Sequence, residues 1–233
     1  MVLDAGLRAP YMCAIMATLS EPIAPESGAT DACAATRGRP RAFDPDRALA
    51  AALRLFWQHG YEGTSLTALT EAMGITRPSL YACFGNKEAL FRKALDLYER
   101  EKLAYVGAAL AAPTAHEVAE RLLRGVIVNL CNGNDPQGCL GVIATVACGA
   151  EAQSIRQEAI ARGASAEAAL IRRFVRAREE GDLPNEYDPL AMAQYLQTVL
   201  QGLSIKAGTG APRETLERVI EVSLATWPRG AAA

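Results

Sequence analysis

Apolar residues recur at helical spacing in every segment after Asp44, and no stretch alternates apolar and polar residues as a half-buried strand would. The first helix is predicted to begin at Asp44-Pro45, because aspartate caps a helix and proline fits its first turn. Leucine and aromatic side chains then follow along one face until Gly60. Since this spacing persists to the end of the chain, we predict an all-α fold.

Local capping signals divide the next part of the chain into three more helices. A short helix is predicted after Thr64-Ser65 and ends at Gly74, and another begins at Thr76. Asn86 then caps a longer helix whose apolar stripe reaches as far as Leu110, roughly 35 Å of helix at 1.5 Å per residue. A helix of that length would connect two modules rigidly.

The rest of the chain carries signals of the same kind. Thr114 and Glu117 have the spacing of a capping box, and the Asn-Gly-Asn-Asp-Pro run after Cys131 predicts a loop. The remaining segments with helical spacing are 139–148, 151–180, 188–206 and 212–227.

Charge is distributed unevenly, although the formal net charge is only −2. Residues 37–93 hold nine basic and five acidic side chains, whereas the parts before and after them carry an excess of acidic groups. A basic module on an acidic body predicts a polyanionic partner for one part of the chain only.

Composition also limits the cellular compartments in which the protein can be expected and the cofactors that it can be expected to bind. Residues 1–36 are rich in Ala, Pro, Ser and Thr, and we interpret them as a disordered leader, not as a signal peptide. No apolar run is long enough to cross a membrane, so we expect a cytoplasmic protein without a membrane partner. Six cysteines without a CxxC pair, beside only two histidines, predict no structural zinc, no disulfide framework and no cofactor.

The segment Leu66 to Phe84 has the pattern of a helix-turn-helix. This motif needs small residues where two helices cross, supplied by Ala68 and Ala72, and a glycine at the turn, supplied by Gly74. The second helix then carries polar side chains at its N-terminal end, where recognition helices present groups to base edges.

A run of residues that includes this motif resembles the DNA-binding domain of the TetR/AcrR family of transcriptional regulators. The residues that carry the resemblance are Gly38-Arg39-Pro40-Arg41, Phe56-Trp57, Gly60-Tyr61, Thr64-Ser65, Gly74-Ile75, Ser79-Leu80-Tyr81, Phe84-Gly85, Lys87 and Leu90-Phe91. The C-terminal part is similar only in short pieces: Gly-Asp-Leu-Pro at 181–184, Gln201-Gly202-Leu203 and Trp227.

The resemblance implies a three-helix DNA-binding domain at 37–93 and a larger helical domain at 94–233 that binds an effector and dimerises. It implies a homodimer on a double-stranded, palindromic operator, from which a small-molecule effector releases it, and a repressor more often than an activator. The sequence departs from the family at Ala82 and Cys83, where larger aromatic residues or histidine commonly stand.

Nine residues are the expected DNA contacts. Arg77 can pair with a guanine and the hydroxyls of Thr76 and Ser79 suit either base type, while Thr64 and Ser65 stand at a helix N-terminus that favours a phosphate. The resemblance assigns contacts with the phosphate backbone to Tyr81 and Lys87. Arg39 and Arg41 form a basic arm that can enter a DNA groove or contact phosphates.

The effector site is predicted less sharply. The aromatic or polar residues on C-terminal helices that we expect to line it are Tyr98, Tyr105, Phe174, Gln194 and Tyr195. A second interpretation of the same fold is a regulator that senses oxidants or electrophiles through thiols, the candidates being Cys83, Cys131, Cys139 and Cys148.

Two other functions compete with a regulator. An enzyme is disfavoured, because the GxGxxG, Walker, HExxH and GxSxG motifs are absent and two isolated histidines offer little general-base capacity. A helical adaptor that binds proteins through its terminal helices would need the basic module to be without function.

Overall fold

A computed structural model of the chain describes residues 43–146, 149 and 152–228. All ten regular elements in these residues are helices, which confirms the predicted all-α class. They are α1 (Pro45–Gly63), α2 (Leu66–Met73), α3 (Arg77–Phe84), α4 (Lys87–Lys102), α5 (Ala104–Leu110), α6 (Ala115–Leu130), α7 (Leu140–Val146), α8 (Gln153–Glu179), α9 (Pro189–Gly208) and α10 (Arg213–Ala225). None of these helices is long and apolar enough to cross a membrane. The predicted leader at 1–36 lies outside the described residues.

Side-chain caps start most of these helices where the sequence predicted them. The Asp44 carboxylate accepts the Asp46 N–H at 3.0 Å, and the Asn86 side chain accepts the Ala89 N–H at 2.7 Å. The Thr114 hydroxyl accepts the Glu117 N–H at 3.1 Å, which satisfies one of the orphan donors of α6. α1 loses helical geometry at Gly60, whose φ of +69° a glycine adopts without strain.

The helix after Asn86 is shorter than predicted. α4 ends at Lys102, and Leu103 takes a non-helical ψ of 9° before α5 begins. Two groups from other parts of the chain hold this end: the Asn129 side chain donates to the Lys102 carbonyl, and Asp135 accepts the Lys102 ammonium at 2.6 Å. The expected continuous helix to Leu110 is therefore wrong, because tertiary contacts override the local stripe.

Two hydrophobic cores form in the part of the chain from Pro40 onward, which is one compact unit. The first contains the fully buried Phe56, Trp57 and Phe91, each of which contributes about 2 to 3 kcal/mol by burial. Leu140 of α7 and Ile155 of α8 belong to this same core. The second core fills the space between α6, α8, α9 and α10. α1 and α4 thus pack directly on α7, and α4 is also joined to α8 by the Arg92–Glu158 ion pair.

Candidate nucleic-acid interface

A tight turn at Gly74 joins α2 to α3. Gly74 adopts a φ of +66°, in the left-handed region, and its N–H donates to the Glu71 carbonyl at 3.2 Å. The Ile75 N–H donates to the Thr70 carbonyl at 3.0 Å, which closes the end of α2. Two short helices joined by such a turn have the form of a helix-turn-helix.

α3 presents one side to the core and another to solvent. Leu80 and Phe84, one turn apart, are buried in the first core. Arg77 and Tyr81 have the same four-residue spacing on the outward side, and half of the Tyr81 surface is exposed (50%). The outward side therefore combines a guanidinium with a phenol, two groups that bind base edges or phosphates.

The N-terminal end of α3 carries the predicted hydroxyl groups. The Thr76 Oγ1 caps the helix by accepting the Ser79 N–H at 3.3 Å, and the two hydroxyl oxygens lie 2.9 Å apart. Arg77 donates from Nη2 to Thr67 Oγ1 at 2.8 Å. Thr67, an exposed residue of α2, was not among the predicted contacts. It could have been identified by its polar side chain in the first turn of the helix that precedes α3.

The remaining predicted contacts fall into different environments. Ser65 is exposed and caps α2 by accepting the Ala68 N–H at 3.0 Å. Thr64 is only 1% exposed, and its hydroxyl donates to the Gly60 carbonyl at 2.7 Å. Its side chain thus stabilises the end of α1, and the expected phosphate contact at Thr64 stays a prediction for its backbone at the start of α2. Arg39 and Arg41 lie outside the described residues.

Lys87 begins α4 beside the same surface. Its Nζ lies 4.5 Å above the centre of the Tyr61 ring, a cation–π contact that restrains the ammonium. Burial lowers the pKa of Lys87, and the nearby Glu62 carboxylate opposes part of that shift. Tyr61 therefore positions Lys87, a contribution that the sequence analysis did not assign.

A cavity of about 510 Å³ lies among α4, α5, α7, α8 and α9. Its wall is mainly apolar, with Leu95, Leu103, Val106 and Val142 among the lining residues. This size and lining suit a small organic ligand.

Of the five residues predicted for an effector site, Tyr98 lines this cavity. Burial raises the pKa of Tyr98, and the adjacent Cys139 thiol, which also lines the cavity, adds to the shift. Tyr105 does not line the cavity but packs against the second core, where burial, followed by Cys139, raises the pKa of its phenol.

The other three predicted effector residues do not line this cavity. Phe174 is fully buried in the second core, with its ring centre 5.7 Å from that of Trp227. Gln194 and Tyr195 face solvent on α9, and Gln201, two turns further along, takes the place at the cavity. Aromatic or polar character does not fix the direction of a side chain, and a role of these three residues in effector binding stays a prediction.

Sequence comparison decides which family of helix-turn-helix proteins this is. Residues 48–94 match the family model described as bacterial regulatory proteins, tetR family. The chain is 36% identical over 195 residues to the HTH-type transcriptional repressor ComR of Escherichia coli K12, a match that covers 83% of this chain and 93% of ComR. The chain belongs to the TetR family. As a member, it is a helix-turn-helix transcriptional regulator, as the sequence predicted.

Solved structures of TetR-family proteins agree with this assignment. This chain is 42% identical to the TetR-family regulator CifR. The two structures superpose with a TM-score of 0.78, and the match covers 82% of this chain and all of the CifR chain. That structure shows a cysteine mutant of CifR with a 26-base-pair double-strand operator. A second relative, the transcriptional regulator YezE of Bacillus subtilis, is 31% identical over 80% of this chain and 97% of its own length.

The three cysteines among the described residues of this TetR-family regulator lie at separate places in the fold. Cys83 is half-buried on α3, Cys131 follows the last turn of α6, and Cys139 lies in the cavity wall. Cys148 lies outside the described residues. Thiol sensing stays a prediction, and the repressor names of the relatives do not favour it over repression controlled by a ligand.

Proposed function

We propose that this TetR-family regulator is a ligand-responsive repressor, which binds a palindromic operator as a homodimer and releases it when a small molecule occupies the cavity. In this proposal, residues 37–93 bind DNA and residues 94–233 bind the effector and dimerise. The observation that carries it is the outward end of α3, where a guanidinium and two hydroxyl groups meet at the helix start. Two relatives support the proposal: ComR is named a transcriptional repressor, and the CifR structure contains operator DNA.

Each exposed group has its own role at the operator. Arg77 contacts a guanine edge in the major groove, and Thr76 and Ser79 contact adjacent bases. Tyr81, Lys87 and the N-terminal end of α2 at Ser65 hold the phosphate backbone. Arg39 and Arg41 add charge to the same interface, in a groove or along the backbone.

The outward faces of α9 and α10 support a homodimer. These helices pack against each other, and they leave Tyr195, Ile205 and Val222 exposed to 43%, 52% and 65%. Large apolar side chains on adjoining helices indicate a surface that another chain covers. A twofold dimer through this surface would present two copies of α3 to one duplex.

The proposed release depends on α4, because this helix contributes both to DNA binding and to the cavity wall. Its N-terminal end carries Lys87, and its later turns line the cavity through Leu95, Tyr98 and Glu99. Occupation of the cavity shifts α4 and changes the distance between the two recognition helices, so that they no longer fit both half-sites. We expect no enzymatic turnover of the effector and a site of action in the cytoplasm, where the operator is.

Selection from a randomised duplex library tests this proposal. The bound fraction is sequenced, and the affinity for the best sequence is then measured against salt. The proposal predicts a palindrome and an affinity that falls with salt, with a slope of about −0.9 for each phosphate contacted. Weak binding that ignores sequence, in protein refolded without ligand, would contradict it.

A further inference from the structure

An ion-pair network centred on Arg162 reaches the rim of the cavity through Arg162 and Glu99. The Arg162 guanidinium donates from Nη1 to Glu99 at 2.9 Å, and from Nη2 to Asp96 and to Glu158, both at 2.7 Å. Glu99 and Arg162 both line the cavity. One guanidinium therefore faces three carboxylates at the point where the apolar wall ends.

A second arginine extends the network along α4 and α8, but the carboxylates still outnumber the guanidinium groups. Arg92 pairs with Glu158 and, at 2.5 Å, with Glu88. Among the described residues, this network thus contains four carboxylates and two guanidinium groups. Because the excess is negative, the rim favours a cation over an anion.

We propose that the cavity takes a small apolar amine, whose ammonium group competes with Arg162 for Glu99 while its body lies against the apolar wall. This inference rests on the proposed function, since it names the class of effector for the same cavity. Glu99 is 41% exposed and Arg162 27%, so both groups can exchange partners without the burial of an isolated charge.

The exchange reaches the DNA-binding helices through contacts already described. Arg162 lies on α8, and both Asp96 and Glu99 lie on α4, so an ammonium at Glu99 removes one of the ties between these two helices. α4 carries Phe91, which packs edge-on against Phe56 of α1 with ring centres 4.9 Å apart. α4 also packs directly on α3, so a shift of α4 is transmitted to the helix-turn-helix.

The test uses three probes with the same apolar body, namely phenylpropylamine, phenylpropanol and phenylpropanoate. Calorimetric titration of the full chain without DNA is expected to give the tightest binding for the amine, about fivefold tighter than for the alcohol, as suits one partly exposed ion pair. The carboxylate is expected to bind most weakly. Equal affinities, tightest binding by the carboxylate, or no binding by any probe would overturn the proposal.

Three variants locate the effect. Glu99→Gln is expected to remove the preference for the amine over the alcohol, whereas Glu101→Gln, at an exposed carboxylate on the same helix, keeps the preference. Ala166→Phe, at an exposed lining position, should weaken the amine and the alcohol alike. A preference for the amine that survives Glu99→Gln, or binding that ignores Ala166→Phe, would refute the assignment.

Operator binding is measured separately, with and without the amine. If the amine binds as expected and operator affinity does not change, the inference about ligand class stands and the proposed release mechanism fails. If the operator is released by the alcohol and the amine equally, with equal affinities, the release mechanism stands and the preference for an amine fails.

Discussion

The indole N–H of Trp57 donates a hydrogen bond to the Gly138 carbonyl at 3.0 Å. Trp57 lies on α1, and Gly138 stands in the loop before α7, 81 residues away. The Trp57 ring also packs edge-on against Tyr98 of the cavity wall, with ring centres 4.8 Å apart. This one side chain therefore links α1 to the loop before α7 and to the cavity wall.

Trp57→Phe should lower the free energy of unfolding by about 1 to 3 kcal/mol, because it leaves the buried Gly138 carbonyl without its donor. Trp227→Phe is the matched control: Trp227 is also buried, but its indole N–H has no partner among the described residues. Urea unfolding of both variants gives the comparison. An equal loss in the two variants would show that ring volume, and not the hydrogen bond, accounts for the effect.

Arg77→Lys should reduce discrimination at one base pair of each half-site by about 1 to 3 kcal/mol, because lysine cannot pair with guanine in a bidentate manner. The charge is kept, so the salt dependence should stay the same. Thr67→Val should have a smaller effect in the same direction, since Thr67 holds one nitrogen of the guanidinium. Competition assays with singly substituted operators measure this; uniform weakening on every sequence would assign Arg77 to the phosphates.

Lys87→Gln should weaken operator binding on all sequences alike and reduce the magnitude of the salt slope by about one. Its ammonium is restrained above Tyr61, at the start of α4. Lys206→Gln is the control, because Lys206 is exposed in the last turn of α9. A salt slope that is unchanged by Lys87→Gln would remove Lys87 from the interface.

Val222→Glu should dissociate the proposed dimer, raising its dissociation constant at least about 100-fold, or about 3 kcal/mol, because a twofold interface would bury two unpaired carboxylates. Val128→Glu on α6 is a close control, since Val128 and Val222 are exposed to 63% and 65%. Sedimentation velocity distinguishes the two variants. Dimers that form equally well with either glutamate would place the interface elsewhere.

Asp135→Asn should destabilise the fold by about 2 kcal/mol near neutral pH. Burial opposes ionisation of Asp135, but hydrogen bonds from Lys102 and Asn132 outweigh it and hold the pKa of Asp135 below its usual value. A lowered native pKa stabilises the fold at pH values above the unfolded pKa of about 3.9, and this contribution is lost as the pH falls through the native value.

The difference between wild type and Asp135→Asn should therefore shrink below about pH 4, as measured by urea unfolding at several pH values. A difference that stays constant down to acid pH would show that charge at Asp135 is not involved. Glu101→Gln, at an exposed carboxylate, serves as the control and should follow the wild type throughout.

Most helix starts could be predicted because each depends on a few neighbouring residues. Asp44, Asn86 and Thr114 cap their helices by accepting N–H groups two or three positions along the chain. The end of α4 depends instead on Asn129, which reaches the Lys102 carbonyl from another helix. No local pattern contains that contact, so the sequence predicted a helix that was too long.

The same distinction applies to the candidate site. Arg77 could be predicted from its place at the N-terminal end of the recognition helix, and Tyr81 from the family resemblance, and both residues are exposed. The burial of Thr64 could not be predicted, because it follows from the positive φ of Gly60, whose carbonyl accepts the Thr64 hydroxyl. The cavity is formed by five helices, and its lining depends on how they pack.

A hydroxyl-radical footprint of the wild-type protein on its selected operator tests the central claim most directly, that a dimer places two copies of α3 in successive major grooves. Two protected segments are expected on one face of the duplex, with centres one helical turn apart, about 34 Å. A single protected segment, or weak protection spread evenly along the duplex, would contradict it.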